Sequence, residues 1–380
     1  MEINSVKVKN FKSLKDVDIK LNNLTLITGV NSSGKSSFIQ SLLLFRQNRD
    51  VLITSALAPK SDLPILHVSF NGTYIKLGDE TSLLSQSAFN DDMAFELNTK
   101  FGDIILLVNK KQEVNLNNFD KRAFANGLNK FETFASILSD NCFHYLSTSR
   151  MSPDHTFGFS QQDINLDSIG VRGEFTAHYL AEKRHQELKV KELKHPESKT
   201  LQLLENTYKW LGEISSGVSI LASSDASTQS VKLTYQYEYG DNTTSNYSSL
   251  NVGFGLTYVL PVIVLILKSK PGDFVIIENP ESHLHPAGQS KIAEMCAIAA
   301  NNGVQIIVES HSDHFLNGLR VATKNGKISP ENSQIYFFKK DKDSLETEPH
   351  SINIDKDGKL SDWPKNFFDE WGNQLDKLLW

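Results

Sequence analysis

Hydrophobic and polar residues near the start of the chain follow the two-residue period of β-strands. Apolar and charged side chains alternate over residues 6–8 and 17–21, as in strands with one buried face. Residues 24–28 are mostly apolar and predict a buried strand. Apolar residues at helical spacing over 37–45 predict the helix that follows.

Strands and helices alternate in the last third of the chain. The pattern predicts a helix over 255–267, a strand over 274–277, a helix over 287–300, a strand over 304–308, a helix from 313 and a strand over 334–338. Such alternation is typical of a parallel sheet covered by helices. We therefore expect an α/β fold.

The middle of the chain has a more mixed pattern. Residues 51–140 contain short strand patterns separated by turns, among them a hairpin over 67–75, so we expect a β-rich insertion. Residues 172–215 have helical spacing. The composition of 223–230 indicates a loop, and 231–239 alternates like a strand.

Composition narrows the classes of protein that fit. The chain has 380 residues, with 39 Lys and Arg against 45 Asp and Glu, a formal net charge of −6. This is typical of a globular protein and provides no general basic field for nucleic acid. Two distant cysteines, Cys142 and Cys296, exclude a disulfide framework and a structural zinc site. The N-terminus has no apolar leader, and the longest apolar run, 259–267, is too short to span a membrane, so we expect a cytoplasmic protein.

Residues 29–36, Gly-Val-Asn-Ser-Ser-Gly-Lys-Ser, match the phosphate-binding pattern G-x-x-x-x-G-K-[ST] in full. The pattern lies between a predicted buried strand and a predicted helix, which is the context it requires. Glycines let backbone N–H groups turn toward phosphates, and the helix N-terminus adds positive potential. Lys35 can reach the β- and γ-phosphates, and the Ser36 hydroxyl can bind Mg²⁺.

A second motif follows the predicted strand at 274–277. The strand ends in Glu278, and the chain continues as Asn-Pro-Glu-Ser-His-Leu-His-Pro over 279–286. A carboxylate at a strand end suits a second contact to Mg²⁺ or to the attacking water. His283 and His285 with nearby glutamates could instead form a transition-metal site, but a lone His-x-His in a loop is common.

With the opening Asn-Phe-Lys-Ser-Leu over 10–14, these motifs resemble the ABC-type ATPase heads of the SMC-like group, and most closely the stand-alone bacterial AAA15 (OLD-like) ATPases. Residues 145–153 and 362–369 resemble the subset that carries the segment called DUF3696. The resemblance implies an ABC-type P-loop ATPase head with a β-rich and a helical insertion. Because the chain has no sustained heptads, we expect no long coiled coil.

The resemblance also implies a division into five segments and a set of ligands. The segments are 1–50, with the phosphate loop; 51–145, the β-rich insertion; 146–245, a helical insertion and hairpin; 246–340, the C-terminal lobe of the head; and 341–380, the DUF3696-like tail. The cofactors are ATP and Mg²⁺, with Ser36 and Glu278 on the metal. The nucleotide is bound by Gly29, Asn31, Ser33, Gly34, Lys35, Ser36 and Ser37, and by Asn251, Gly253 and Gly255 of a signature-like segment on a second head.

Four residues are expected to carry catalysis. Glu278 matches the acidic residue on the Mg²⁺ side, and His311 matches the switch histidine that senses the γ-phosphate. Asn279 stands where such heads usually have the catalytic glutamate. Because an amide cannot act as a general base, either Glu281 or Glu278 takes that role or hydrolysis is slow. Gln47 and Arg150 both remain candidates for the Q-loop function.

The resemblance favours an ATP-driven switch that controls a separate effector, most plausibly a nuclease, in anti-phage defence. The heads are expected to form a homodimer around two ATP molecules, or a higher homo-oligomer. The alternative is a DNA-binding clamp or repair ATPase that uses the lysines of 183–199. A membrane-transporter subunit is disfavoured because the start of the chain and the signature-like segment differ from that class.

Overall fold

The computed structural model describes residues 3–57, 67–78, 82–86, 88, 92–100, 102–108, 137–240 and 242–379. They belong to two compact units. Unit 1 comprises Met1–Phe143, Gln334–Asn353 and Asp362–Trp380, and unit 2 comprises His144–Ser333 and Ile354–Ser361. Each unit is described separately below.

The elements of both units are numbered in chain order. The strands are β1 (Ile3–Phe11), β2 (Leu14–Lys20), β3 (Leu24–Gly29), β4 (Met93–Thr99), β5 (Gly102–Val108), β6 (Phe143–Leu146), β7 (Val218–Asp225), β8 (Ser230–Tyr239), β9 (Asn242–Thr243), β10 (Tyr247–Ser248), β11 (Phe274–Glu278), β12 (Gln305–Glu309), β13 (Ser333–Lys340) and β14 (Thr347–Ile352). The helices are α1 (Lys35–Gln47), α2 (Arg49–Leu57), α3 (Gln161–Asn165), α4 (Thr176–Lys183), α5 (Leu203–Gly212), α6 (Phe254–Lys268), α7 (Pro286–Asn301), α8 (Asp313–Lys324) and α9 (Glu370–Leu379).

Unit 1 contains a four-stranded antiparallel sheet in the order β2-β1-β4-β5. The alternation predicted for the first two strands is confirmed, because Val6 and Val8 are fully buried while Lys9 is exposed. At 67–75, where a hairpin is predicted, Asn71 forms an isolated antiparallel bridge with Lys76. The rest of the predicted β-rich insertion lies partly outside the described residues.

The other two strands of unit 1 lie on one side of the phosphate-loop strand. β13 and β14 pair antiparallel, and β13 lies next to β3. All six residues of β3 are buried, as its apolar sequence predicts. Helix α1 follows β3, and its Phe38 ring lies 5.9 Å from the ring of Phe338 on β13. The C-terminal tail is attached through Phe367, which is fully buried and lies 5.3 Å from Phe337.

Unit 2 contains the parallel strands β11 and β12, with β6 on the other side of β11. The register pairs Phe274 with Gln305 and Glu278 with Glu309. Parallel strands therefore end together, and their last residues are the two glutamates. A separate antiparallel sheet has the order β10-β8-β7.

Helix α6 forms the apolar centre of unit 2. Every residue from Leu256 to Lys268 is buried, including Pro261 in the helix interior. It packs against α5 and α7, and α7 packs in turn against α8. A helix that is apolar all round requires neighbours on all sides, which explains its position.

The predictions for the middle of the chain are only partly confirmed. Helical spacing over 172–215 holds for α4 and α5, but residues between them form an irregular segment with one 3-10 turn at Lys191–Leu193. A bridge between Glu187 and Gln202 closes that segment. The loop expected at 223–230 begins with the end of β7, which the sequence did not indicate.

In the part of the chain that the structure describes, the longest helix is Pro286–Asn301, of 16 residues. None of the described helices is both long enough and apolar enough to cross a membrane.

Candidate functional site

The residues of the G-x-x-x-x-G-K-[ST] motif form a strand–loop–helix in unit 1. β3 ends at Gly29, whose φ is 146°, and α1 begins with Lys35 directly after Gly34, whose φ is 100°. Both angles lie where side chains are strained, so both glycines are required by the backbone. A Cβ at Gly29 would also overlap the carbonyl oxygen of Phe338.

The lysine of this loop is buried and held by the loop itself. The Lys35 side chain is 4% exposed, and its Nζ donates hydrogen bonds to Gly29 O at 3.1 Å and to Val30 O at 2.9 Å. These two carbonyls begin the loop whose N–H groups are expected to face phosphate. The ammonium is therefore held at the loop by the loop's own carbonyls.

The polar side chains of the loop differ in exposure. Asn31 and Ser36 are exposed and Ser37 is half-buried. Ser33 is fully buried, and within the described residues its Oγ has no hydrogen-bond partner. An unpaired buried hydroxyl is costly, so this donor suits an anion bound in the loop.

In unit 2, Glu278 lies at the end of β11 and is held by Tyr145 on β6 and by Arg150, which follows β6. Tyr145 Oη donates to Glu278 Oε1 at 2.9 Å. The guanidinium of Arg150 donates to Glu278 O and, at 3.1 Å, to Asn279 O. Arg150 also lies over the ring of Tyr258, 4.8 Å from its centroid. Arg150 thus fixes the backbone on which Glu278 and Asn279 lie.

Asn279, Glu281 and His311 are connected through the backbone next to these strand ends. Asn279 has a φ of 45°, and its N–H donates to Glu309 O at 2.7 Å. Glu281 is 8% exposed and its Oε1 accepts a hydrogen bond from His311 N at 2.8 Å. The His311 residue itself is exposed. The carboxylate of Glu281 therefore orders the turn that presents this histidine.

Burial changes the acidity of both carboxyl groups. It raises the pKa of Glu278, and the hydrogen bond from Tyr145 opposes part of this shift. Burial likewise raises the pKa of Glu281, opposed by the His311 N–H. A glutamate with a raised pKa is a stronger base than an exposed one, and such shifts are frequent at functional sites.

The signature-like segment lies on the surface of unit 2. Asn251 and Gly253 are exposed, and helix α6 begins directly after Gly253. A Cβ at Gly255 would overlap the carbonyl oxygen of His283. The rings of Phe254 and His283 have centroids 4.8 Å apart. The segment therefore packs directly against the loop that follows Glu281.

Gln47 and Arg150, the two Q-loop candidates, have different roles in the structure. The Gln47 amide accepts from Tyr74 N and Ile75 N, at 3.2 and 3.0 Å, and donates to Ser69 O at 2.8 Å. It thereby holds the segment at 69–75 against the end of α1. Arg150 is buried beneath Glu278, as described above.

The His-x-His pair does not join a cluster of metal ligands in the described ranges, which contain no group of three or more His, Cys, Asp or Glu placed to hold a metal. His283 instead stacks edge-on against Phe254 and Tyr258. His285 caps helix α7 by accepting from Ala287 N.

Two side chains that support Glu278 and the phosphate loop are not indicated by the sequence. Tyr145 lies in a stretch whose one notable feature is its resemblance to DUF3696 proteins, and no sequence pattern predicts its hydrogen bond to Glu278. Thr347 contacts the phosphate loop from β14, a strand that no pattern predicted.

Comparison with known families decides what kind of protein carries these groups. A family model described as AAA domain, putative AbiEii toxin, Type IV TA system (AAA_21) matches residues 24–317, which is more than half of the chain. The chain belongs to the AAA_21 family. A second model, a protein of unknown function (DUF3696), matches residues 328–378. The predicted ABC/SMC-like ATPase class and the DUF3696 segment are thereby confirmed.

Solved structures of SMC heads are similar at low identity. The SmcHead bound to the C-winged helix domain of ScpA has a TM-score of 0.49 and 14% identity, with 93% of this chain and 99% of that chain covered. The SMC head domain from Thermotoga maritima has a TM-score of 0.41 and 12% identity, with 92% and 99% covered. The Pyrococcus furiosus Smc head with an extended coiled coil, bound to the C-terminal domain of ScpA, has 0.45 and 14%, with 100% of both covered. No curated protein matches the chain significantly.

This AAA_21 protein thus has the mixed α/β fold of an ABC/SMC-like ATPase head, with antiparallel sheets besides its parallel strands. The predicted fold class is confirmed. A P-loop ATPase family implies binding of ATP and Mg²⁺ and hydrolysis of ATP.

Proposed function

We propose that this protein is an ATP-binding and ATP-hydrolysing switch that controls a separate effector protein. The observation that carries the proposal is the Lys35 ammonium, buried and held by Gly29 O and Val30 O in a complete phosphate-loop motif. A buried cation is stabilised further by a bound polyphosphate, because opposite charges attract strongly away from water. ATP binding therefore changes the free energy of this loop directly.

The residues of the loop suit ATP and Mg²⁺. The unpartnered buried hydroxyl of Ser33 and the cation of Lys35 offer a donor and a charge for phosphate oxygens. Ser36, exposed on the first turn of α1, offers a hydroxyl to the metal, and Glu278 is assigned to the same ion. Bound Mg²⁺ would offset negative charge on the phosphates. The remaining nucleotide ligands are assigned to Gly29, Asn31, Gly34 and Ser37.

Hydrolysis needs a base that Asn279 cannot provide. We assign this role to Glu281, whose pKa is raised by burial and which orders the turn that carries His311. His311 is assigned to the γ-phosphate. General-base catalysis contributes about 10²–10⁴-fold to such reactions. Because Glu281 does not stand where such heads usually have their catalytic glutamate, we expect it to supply only part of this factor and hydrolysis to be slow. Slow turnover suits a switch whose ATP-bound state persists.

We propose that two copies close around two ATP molecules. Asn251 and Gly253 of one copy would approach the γ-phosphate held by Lys35 and Ser36 of the other, with Gly255 keeping the segment close to its own His283 loop. Support comes from the exposure of Asn251 and Gly253 at the N-terminus of a 15-residue helix, where backbone N–H groups favour an anion.

The effector is proposed to be a nuclease in anti-phage defence. The support is the family description, which names a putative AbiEii toxin and a Type IV toxin–antitoxin system. In this proposal the ATP-bound dimer holds or licenses the effector, and product release ends that state.

A DNA-binding clamp is the second candidate. The observation that favours it is the exposure of Lys189, Lys191 and Lys194 on the irregular segment between α4 and α5. Glutamates are interleaved with these lysines, so any affinity for DNA should be weak and steeply dependent on salt. Binding of duplex DNA that requires ATP, weakens with salt and is lost when the three lysines become glutamines would favour this candidate.

ATP turnover of the full chain tests the main proposal. We expect Lys35→Ala to lose ATP binding and turnover together, and Glu281→Gln to keep binding while turnover falls by about 10²-fold or more. Glu331→Gln, at an exposed position, is the matched control and should behave like the wild type. Wild-type protein that binds ATP without measurable turnover would remove the hydrolytic part of the proposal.

A further inference from the structure

Thr347, the first residue of β14, contacts the phosphate loop through its side chain. Its hydroxyl donates to Ser33 O at 2.9 Å and shares a hydrogen bond of 2.8 Å with the hydroxyl of Ser13. Its backbone N–H donates to Ser13 O at 2.8 Å. Thr347 is buried, so these hydrogen bonds do not compete with water. A residue of the DUF3696 segment thus binds the loop from the side of β14.

The hydrogen bond to Ser33 O sets the direction of the next N–H group. The Ser33–Gly34 peptide is trans and planar, so the carbonyl of Ser33 and the N–H of Gly34 point to opposite sides. Because Thr347 holds the carbonyl, the Gly34 N–H must point away from Thr347. Phosphate loops work by presenting such N–H groups to the anion. Thr347 therefore determines the orientation of a group that would bind phosphate.

The contact is also tight on the Gly34 side. A Cβ at Gly34 would overlap Thr347 Oγ1, and the φ of Gly34 is 100°. The threonine side chain therefore occupies the space next to the Gly34 Cα, which a larger residue at position 34 would need. A shift of the loop would have to break the hydrogen bond, move β14, or both.

The hairpin of β13 and β14 holds the loop at both ends. Phe338 on β13 packs its carbonyl against Gly29, the first glycine of the motif, and Thr347 on β14 contacts Gly34, the second. The hairpin is fixed by its own register, in which Lys340 pairs with Thr347, and by an ion pair of 2.8 Å between Lys15 and Glu346. These two contacts lie at the two ends of the loop between strand β3 and helix α1, which has five residues.

We propose that Thr347 is a positioning residue for the nucleotide, and that holding the phosphate loop in its anion-binding conformation is a function of the DUF3696 hairpin. The inference rests on the proposed function in one respect, namely that the loop binds ATP. It assigns to a segment of unknown function a direct part in nucleotide affinity. Thr347 acts through the loop backbone and does not touch the phosphates itself.

Two substitutions separate the hydroxyl from the rest of the side chain. Thr347→Val keeps the shape and removes both hydroxyl hydrogen bonds, whereas Thr347→Ser keeps the hydroxyl. With Mg²⁺ and ATP in calorimetric titrations of the full chain, we expect Thr347→Val to weaken ATP affinity about tenfold and Thr347→Ser to stay within about twofold of the wild type. Ser351→Ala removes a hydrogen bond from the exposed side of the same strand and is the control.

Hydrogen–deuterium exchange without nucleotide provides a readout that does not depend on ATP binding. Thr347→Val should speed amide exchange in residues 30–35, and Thr347→Ser should not. Wild-type ATP affinity in Thr347→Val, or equal losses in the valine and serine variants, would overturn the inference. A wild-type protein that binds no ATP would instead refute the proposed function, while the exchange rates would still decide whether Thr347 orders the loop.

Discussion

Single residues around Glu278 and around the phosphate loop depend on partners that are distant in the chain. Tyr145 donates to Glu278, 133 residues further on, and Thr347 meets Ser13 across 334 residues. The identities of Lys35, Ser36 and Glu278 as candidates followed from motif spacing alone. Their supporting donors did not, because a hydrogen bond between two ordinary polar residues depends on tertiary placement and has no local pattern.

Tyr145→Phe should destabilise the protein by about 1–2 kcal/mol, because it removes one hydrogen-bond donor from a buried carboxylate. The missing hydrogen bond should also raise the pKa of Glu278 further, since this bond now opposes the effect of burial. Urea unfolding at neutral pH measures the change in the free energy of unfolding. Tyr239→Phe, at an exposed position, should be neutral. Equal stabilities of Tyr145→Phe and the wild type would contradict the role given to this hydroxyl.

At the scale of elements, periodicity identified several strands and helices that bury one face. The alternating strands and helices of 254–340 are close to their predicted bounds, and the patterns at 6–8 and 17–21 lie mostly within the longer strands β1 and β2, because burial on one or both faces gives a regular pattern in the sequence. No periodic pattern in the sequence predicted β14 or α9. The segment between α4 and α5 has helical spacing but an irregular conformation, since a bridge and a 3-10 turn within it replace helical hydrogen bonds.

Strand β6 carries a histidine that should make stability depend on pH. Burial, and then the charge of Lys268, lower the pKa of His144 below the value of about 6.5 expected in the unfolded chain. Below that pH the unfolded state binds a proton that the native state resists. Above pH 6.5 the titration of His144 does not change the free energy of unfolding. As the pH decreases below 6.5, this free energy falls by at most about 1.4 kcal/mol per pH unit.

Urea unfolding between pH 5 and 7.5 checks this dependence by difference. In His144→Gln the slope below pH 6.5 should be smaller than in the wild type, whereas His155→Gln, at an exposed position, should keep the wild-type slope. The raised pKa values of Glu278 and Glu281 act in both proteins and cancel in the comparison. Identical slopes in His144→Gln and the wild type would show that His144 does not titrate between the two states.

At the scale of the whole molecule, the proposed dimer depends on a surface that the isolated chain leaves open. Phe254 is 44% exposed and Leu250 is 46% exposed beside the signature-like segment, and Gly253 has open space around it. Exposed apolar side chains around a helix N-terminus suit contact with a second protein surface and with an anion.

Gly253→Asp should abolish ATP-dependent dimerisation while leaving the isolated chain folded. The φ of Gly253 is −58° and its Cβ position is open, so the side chain fits, but its negative charge would repel the γ-phosphate held by the other copy. Light scattering should show the mass double with ATP for the wild type and for Gly253→Ala, and remain that of one chain for Gly253→Asp. A wild-type chain that stays monomeric with ATP while hydrolysing it through Lys35 would contradict the dimer itself.

The α/β class, the phosphate loop and the acidic strand end can all be inferred from the amino-acid sequence. Each of these depends on local chemistry: glycines at fixed spacing, a lysine next to a helix start, or a run of apolar residues ending in a carboxylate. The side chains that support them are seen only in the folded chain, because Thr347, Tyr145 and Arg150 act through contacts between residues far apart in the chain. Such contacts result from the packing of whole elements, and packing is specified by many weak interactions that no single motif records.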